Sequence, residues 1–187
     1  MNGHERIKNE SREWLANSLM DLMSRKPYKD ITIGQIANHA KLSRRTFYRA
    51  FKSKEDILDY ITDMICSKYE EHLSVYNLEE FELGTISYIF FSFFEKYYHI
   101  LKIFRENNME YQLLKLFNRY LPVLCRNVYQ KDLTPEESFY LQHFHLFTSG
   151  GFFNVLIFWL DNDRQMPAEE MSAIITNSQK MFWNIKA

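Results

Sequence analysis

The stretch TIGQIANHAKLSRRTFYRAFKSKEDIL, residues 32–58, decides how the rest of the chain is read. Thr32 is followed three residues later by Gln35, the spacing at which a hydroxyl accepts from a first-turn amide while an amide side chain reaches back. A short helix is therefore predicted from Ile33 to Ala40, with Ile33, Ile36, Ala37 and Ala40 turned inward. Lys41-Leu42-Ser43 is a tight turn. Ser43 caps a second short helix, Arg44 to Phe51, whose Phe47 and Phe51 share one side while Arg44, Arg45, Tyr48 and Arg49 occupy the others. One side packs and the other is left to bind. Ser53 with Asp56 makes a further capping box, opening a long helix through Ile57, Leu58, Ile61, Ile65 and Tyr69 toward Leu73.

Upstream, Ile7, Ser11, Trp14, Leu15, Ser18, Leu19 and Leu22 recur at helical spacing, which predicts a first helix from about Glu5 to Ser24 that ends near Lys26-Pro27. Downstream of Tyr76 the composition turns aromatic and acidic, and helices are predicted at about 79–98, 100–107, 110–131, 135–161 and 168–185. Thr134-Pro135-Glu136-Glu137 combines an N-cap, a first-turn proline and an N3 glutamate, and Pro122 is expected to kink its helix. With only 5 Gly and 4 Pro in 187 residues, turns are too few for an all-β chain. The fold class read from this pattern is all-α: an N-terminal three-helix domain over residues 1–55, extending into a linking helix at 54–75, then a helical bundle over 76–187, about nine helices in all.

Charge divides along the same line. Residues 1–55 hold 12 Lys and Arg against 6 Asp and Glu, whereas the remainder holds 11 against 18. A basic head on an acidic body fits a polyanion that meets the head only, although charge alone fits a solvated face equally well. Cys66 and Cys125 form no CxxC pair and no secretory leader precedes them, so a reducing cytoplasm is expected. The apolar runs Ile86–Phe94 and Gly150–Leu160 are too short to span a bilayer. The six histidines show no HExxH spacing, and no phosphate loop or serine elbow is present, which argues against an enzyme and against a bound cofactor. A metal-sensing regulator would need a third ligand such as His99 beside His143 and His145, which do not share a helix face.

Two short helices joined by a three-residue turn, the second studded with arginine, match what reading a major groove requires: an α-helix fits that groove and arginine bonds guanine edges bidentately. The stretch resembles the TetR family of transcriptional regulators over residues 7 to about 60, through the helix start at Thr32, the A-x-L-S turn, Thr46-Phe47-Tyr48 and the F-K-S-K-E run from Phe51. The resemblance implies that Thr32, Tyr48 and Lys54 touch the DNA backbone and that Arg44, Arg45 and Thr46 face base edges. Arg49 and Lys52 sit where cations grip phosphates, or are merely solvated. Lys54 lies at a helix N-terminus, where a cation opposes the dipole unless a phosphate joins it. Lys41 stands where many members of the family have glycine.

The resemblance also implies a homodimer built by the last two long helices, a near-palindromic operator on double-stranded DNA, and repression relieved by a small apolar or aromatic effector. The alternative is a helical interaction protein whose head meets a protein in place of DNA. Independently of the family, the helix at 135–161 carries more apolar residues than one core-facing stripe needs. The seam is expected at Gly150, Gly151, Phe152, Val155 and Trp159 with Met171, Ile175 and Phe182 of the last helix, the two glycines permitting close approach or a local break. The crowd at Phe90, Phe94, Phe104, Leu114, Phe117 and Phe144 reads either as ordinary core or as an effector pocket with Tyr111, Asn118 and His143 as polar anchors.

Overall fold

The structure, a computed structural model, describes residues 3–76, 82–115, 117–118, 133–162 and 166–183. Among the described residues every regular element is helical. The expected kink at Pro122 and the carboxyl-terminal part of the helix expected at 110–131 lie outside the described residues, as does the side chain of Phe182. The chain forms two compact units: Met1–Ile65 with Ile103–Met109, and Cys66–Lys102 with Glu110–Ala187.

The first unit holds α1 (Gly3–Met23), a short 3-10 turn at Tyr28–Asp30, α2 (Ile33–His39), α3 (Arg44–Ala50) and the start of α4 (Lys54–Leu73). The helix starts form where the capping residues stand. The Gln35 amide donates to Thr32 Oγ1 at 3.3 Å while the Thr32 amide donates to Gln35 Oε1 at 3.0 Å. The Thr46 amide donates to Ser43 Oγ at 3.0 Å. At the head of α4 the Asp56 amide donates to Ser53 Oγ at 3.1 Å, and the Lys52 amide donates to Asp56 Oδ2 at 2.8 Å. That Lys52 bond, with the Ser53 hydroxyl second, holds the Asp56 carboxyl below the usual carboxylate range. α1 packs on both α2 and α3, and Leu15, Leu19, Ile31, Ile36, Ala37, Phe47, Ile57 and Ile61 close the core between them.

α2 ends on a backbone motif that ordinarily takes glycine. Lys41 has φ 55°, and the Lys41 and Leu42 amides donate back to the carbonyls of Asn38 at 3.0 Å and Ala37 at 2.9 Å. An L side chain in this left-handed conformation costs about 1–2 kcal/mol, part of which glycine would give back through its looser unfolded state. Lys41→Gly is therefore expected to raise stability by roughly 0.5–1 kcal/mol in denaturant titrations. An unchanged or lowered midpoint would show that the turn is not strained.

The second unit is built on α5 (Leu83–Lys96), the first part of α6 (Tyr98–Glu106), α7 (Pro135–Asp161) and α8 (Ala168–Trp183), with the end of α4. The helices expected at 79–98 and 100–107 are α5 and α6, divided at Tyr97, the C-cap of α5. α5 buries Ile89, Phe90, Phe91, Phe93 and Phe94 and packs chiefly on α8. The approach is close at Gly84, whose carbonyl accepts from Ser172 Oγ at 2.6 Å and whose Cβ, were there one, would stand 3.0 Å from Thr176 Oγ1. α7 starts on the capping box at Thr134 and Glu137.

Two histidines are drawn into this unit. His72 donates from Nε2 to the Ile89 carbonyl at 3.2 Å, and His145 on α7 is buried. Burial first, and the Lys96 charge second for His72, holds both below the ordinary histidine range. The unfolded chain takes up these protons more readily than the folded one, so stability is complete above the ordinary histidine range and falls as pH drops through it. Melting temperature is expected to decline from about pH 7.5 to about pH 5, less steeply in a His72→Gln, His145→Gln variant. Equal slopes in the two proteins would remove the histidines as the cause.

Candidate nucleic-acid interface

α3 is oriented by its two phenylalanines. Phe47 is fully buried, and Phe51 packs edge-on to Tyr60 with ring centroids 5.7 Å apart. Arg12 lies over both Phe51 and Tyr60, its guanidinium carbon 5.0 Å and 4.5 Å from the ring centroids. With that side held, helical geometry turns Arg44, Arg45, Tyr48 and Arg49 out to solvent. Among the described residues the guanidinium groups of Arg44, Arg45 and Arg49 meet no carboxylate. Thr46 is half-buried at the base of this face, its hydroxyl 2.9 Å from that of Ser43. Thr32 and Lys52 are exposed. Seven of the eight expected contact residues, Thr32, Arg44, Arg45, Thr46, Tyr48, Arg49 and Lys52, are thus on the same unit with exposed or half-exposed side chains.

Lys54 is placed differently. Its ammonium turns into the unit, donating to the carbonyls of Tyr28 at 2.9 Å and Ile31 at 3.1 Å, and lies 4.1 Å from the centroid of the Tyr28 ring. The Tyr28 hydroxyl donates to Glu55 Oε1 at 2.9 Å, and burial, then this bond, raises its pKa. The cation at the start of α4 is therefore matched by two carbonyls and a ring face, which relieves the opposition to the helix dipole without a phosphate. No local spacing announces this, because Tyr28 is 26 residues upstream.

The residues expected to line an effector pocket are not gathered in one place. Phe90 and Phe94 are buried, with ring centroids 4.8 Å apart, and Phe117 lies 5.6 Å from Phe90 and 5.4 Å from Phe94, which is ordinary ring packing. Phe104 is buried in the first unit. Tyr111, His143 and Phe144 are exposed, and Leu114 is half-exposed. His143 donates from Nδ1 to the Phe139 carbonyl one turn back at 2.8 Å. Asn118 accepts from Ser149 Oγ at 2.6 Å. His145, weighed in the sequence only as part of a metal site, is buried, and its Nε2 meets no hydrogen-bond partner among the described residues. An open groove of about 330 Å³ is lined by Leu133, Glu137, Tyr140, Leu141 and Phe144.

Of the residues expected at a dimer seam, Gly150 and Gly151 are open, with nothing within 4 Å of an added Cβ among the described residues. Phe152, Val155 and Ile175 are half-exposed. Trp159 and Met171 are buried inside the protomer and are not available to a partner: Trp159 packs on Phe91 at 5.8 Å and donates from Nε1 to the Met166 carbonyl at 2.8 Å. The side of α7 presented to solvent runs through Phe139, His143, Phe147, Gly151 and Phe158, and so includes Gly151 of the expected seam but not Trp159. A helix ringed with apolar residues does not reveal which side meets its own core.

Among the described residues no helix is long and apolar enough to cross a membrane, and no three His, Cys, Asp or Glu residues are grouped to hold a metal ion.

Two capped short helices, a tight turn and a second helix with a free cationic face over a phenylalanine core define a helix-turn-helix DNA-binding unit. Residues 17–61 match the family model described as bacterial regulatory proteins, tetR family. The N-terminal part of the chain is therefore a helix-turn-helix unit of the tetR regulatory-protein type, followed by a helical second unit. In fold it is similar to a solved structure titled dihydroxyacetone kinase operon activator DhaS, with a TM-score of 0.56 and 16% identity over 91% of this chain and 94% of that one. No curated protein matches the chain significantly.

Proposed function

We propose that the chain acts in the cytoplasm as a homodimer that reads a near-palindromic operator with two copies of α3. The observation that carries this reading is the set of three solvent-facing arginines, 44, 45 and 49, with no carboxylate against them among the described residues, on a helix anchored by two buried phenylalanines. Arg44, Arg45 and Thr46 read base edges from the start of α3; Thr32, Tyr48, Arg49 and Lys52 hold phosphates. The phosphate role expected of Lys54 passes to these side chains, since its ammonium is engaged within the protein.

The second copy is seated on the exposed apolar stripe of α7, with Gly150 and Gly151 allowing close approach and Ile174 and Met181 of α8 alongside. A symmetric pair then sets the two α3 helices about 34–36 Å apart, on successive major grooves. Occupation of the operator represses by obstructing polymerase. Activation is the second reading, favoured by the similarity in fold to the dihydroxyacetone kinase operon activator. Release by a small apolar or aromatic effector in the second unit is supported by one observation, the buried His145 whose Nε2 meets no hydrogen-bond partner among the described residues.

Selection of bound sequences from a random duplex pool tests the core of this reading: an inverted repeat is expected, and recovery of no consensus overturns it. With the recovered duplex in hand, Arg45→Ala is expected to lose about 1–3 kcal/mol of discrimination against mismatched operators. Lys52→Ala is expected to weaken every duplex alike and to lower the salt slope by about 0.9. Identical behaviour of the two variants across all duplexes would refute the division of roles.

A further inference from the structure

The DNA-binding unit is not closed by its own first 65 residues. Ile103–Met109, which follows in sequence from a helix begun in the second unit, belongs to it. This segment brings a buried Phe104 and Met109, and Asn108 turns the chain at φ 54° while the Met109 amide donates to the Phe104 carbonyl at 2.9 Å. Between Phe104 and Asn108 sits Asn107. Its Oδ1 accepts from the Tyr28 amide at 2.7 Å, and its Nδ2 donates to the Met23 carbonyl at 3.2 Å and to the Ile103 carbonyl at 2.8 Å. One side-chain amide thereby ties the last residue of α1 and the 3-10 turn ahead of α2 to the end of α6.

Tyr28 is also the residue that Lys54 and Glu55 hold from the start of α4. The turn that leads into the helix pair is thus gripped from two helices, α4 and α6, each of which runs on into the second unit. Both functional halves of the Asn107 amide are used, one as acceptor and one as donor, so no other side chain of similar size reproduces the set.

We propose that Asn107 is a positioning residue for DNA recognition: it transmits the placement of α6 to the turn at Tyr28–Asp30 and hence to the seating of α2 and α3 in the groove. The proposal rests on the reading of α3 as the base-reading helix. Its mechanism predicts a selective defect. Contacts to phosphates adapt to a shift of the helix pair, because a uniform backbone offers an acceptor at every step, whereas bidentate base contacts do not.

The test uses the full chain and two duplexes, the one recovered by selection and a scrambled control of equal length, titrated well below the melting temperature of each protein. Asn107→Ala is expected to keep wild-type helicity and oligomeric state, to bind the selected duplex about tenfold more weakly, and to bind the scrambled duplex with unchanged affinity and salt slope. Asn107→Asp keeps the acceptor for the Tyr28 amide but sets a carboxylate against two carbonyls, and is expected to show the same selective loss. Equal binding of the selected duplex by wild type and Asn107→Ala overturns the proposal. So does parallel weakening on both duplexes, which is what loss of folded head alone would produce. A wild-type protein that fails to distinguish the two duplexes overturns the base-reading role of α3 itself.

Discussion

Phe47→Ala is expected to remove about 3–5 kcal/mol from the stability of the DNA-binding unit, the range for deleting a fully buried phenylalanine and leaving its cavity. That is a large share of the roughly 5–15 kcal/mol by which a domain is held folded, so operator binding should fall together with the structure of the head. The ring is fully buried beneath α3, edge-on to Tyr48 at 5.4 Å and tilted to Phe51 at 6.4 Å. Its loss therefore frees the arginine-bearing helix to rotate as well as emptying the core. Circular dichroism in a denaturant titration, read beside duplex binding, measures both effects. A variant that melts like wild type would show that α3 is held from elsewhere, and the orientation assigned to Arg44 and Arg45 would lose its cause.

The second large effect concerns assembly. Phe147 and Phe158 lie three turns apart on α7 and are 65% and 64% exposed in the protomer, outside its buried core. Phe147→Glu with Phe158→Glu sets carboxylates on a face proposed to meet its own copy, where like charges would be buried against each other. The double variant is expected to sediment as a folded monomer. Because linking two heads multiplies their affinities through effective concentration, operator binding should drop by roughly 10²–10⁴-fold while each head stays intact. A double variant that stays dimeric would move the interface off this stripe. A monomer that still holds the operator at full affinity would mean that one head suffices.

Much of the helix-turn-helix could be read in one dimension because its causes are local. Thr32 with Gln35, Ser43 with Thr46, and Ser53 with Asp56 each satisfy first-turn amides within three residues. Phe47 and Phe51 fall on one side by helical spacing alone. The unusual turn at Lys41 was legible too, as a lysine at a position that calls for positive φ. Lys54 shows where such reading stops. Its place at a helix start was clear from the sequence, yet its partners, the carbonyls of Tyr28 and Ile31, come from a 3-10 turn and the residue that follows it, more than 20 residues away.

On α7 the limit has a different origin. Apolar residues run round the helix, so spacing could not separate Trp159, closed inside the protomer, from Phe158, open beside it. The aromatic crowd of the second unit posed the same difficulty: Phe90, Phe94 and Phe117 share one packed cluster, whereas Phe104 serves the first unit.

From its residues alone the chain determined an all-helical class, the start of each capped helix and the side of α3 that carries its arginines, since each follows from contacts within a turn or two. Only the tertiary structure decided that Ile103–Met109 completes the head, that Asn107 ties Tyr28 to α6, and which flank of α7 faces outward. Those outcomes depend on which surfaces of distant segments fit one another, and a burial free energy that acts without direction leaves no spacing rule along the chain by which to find the partner.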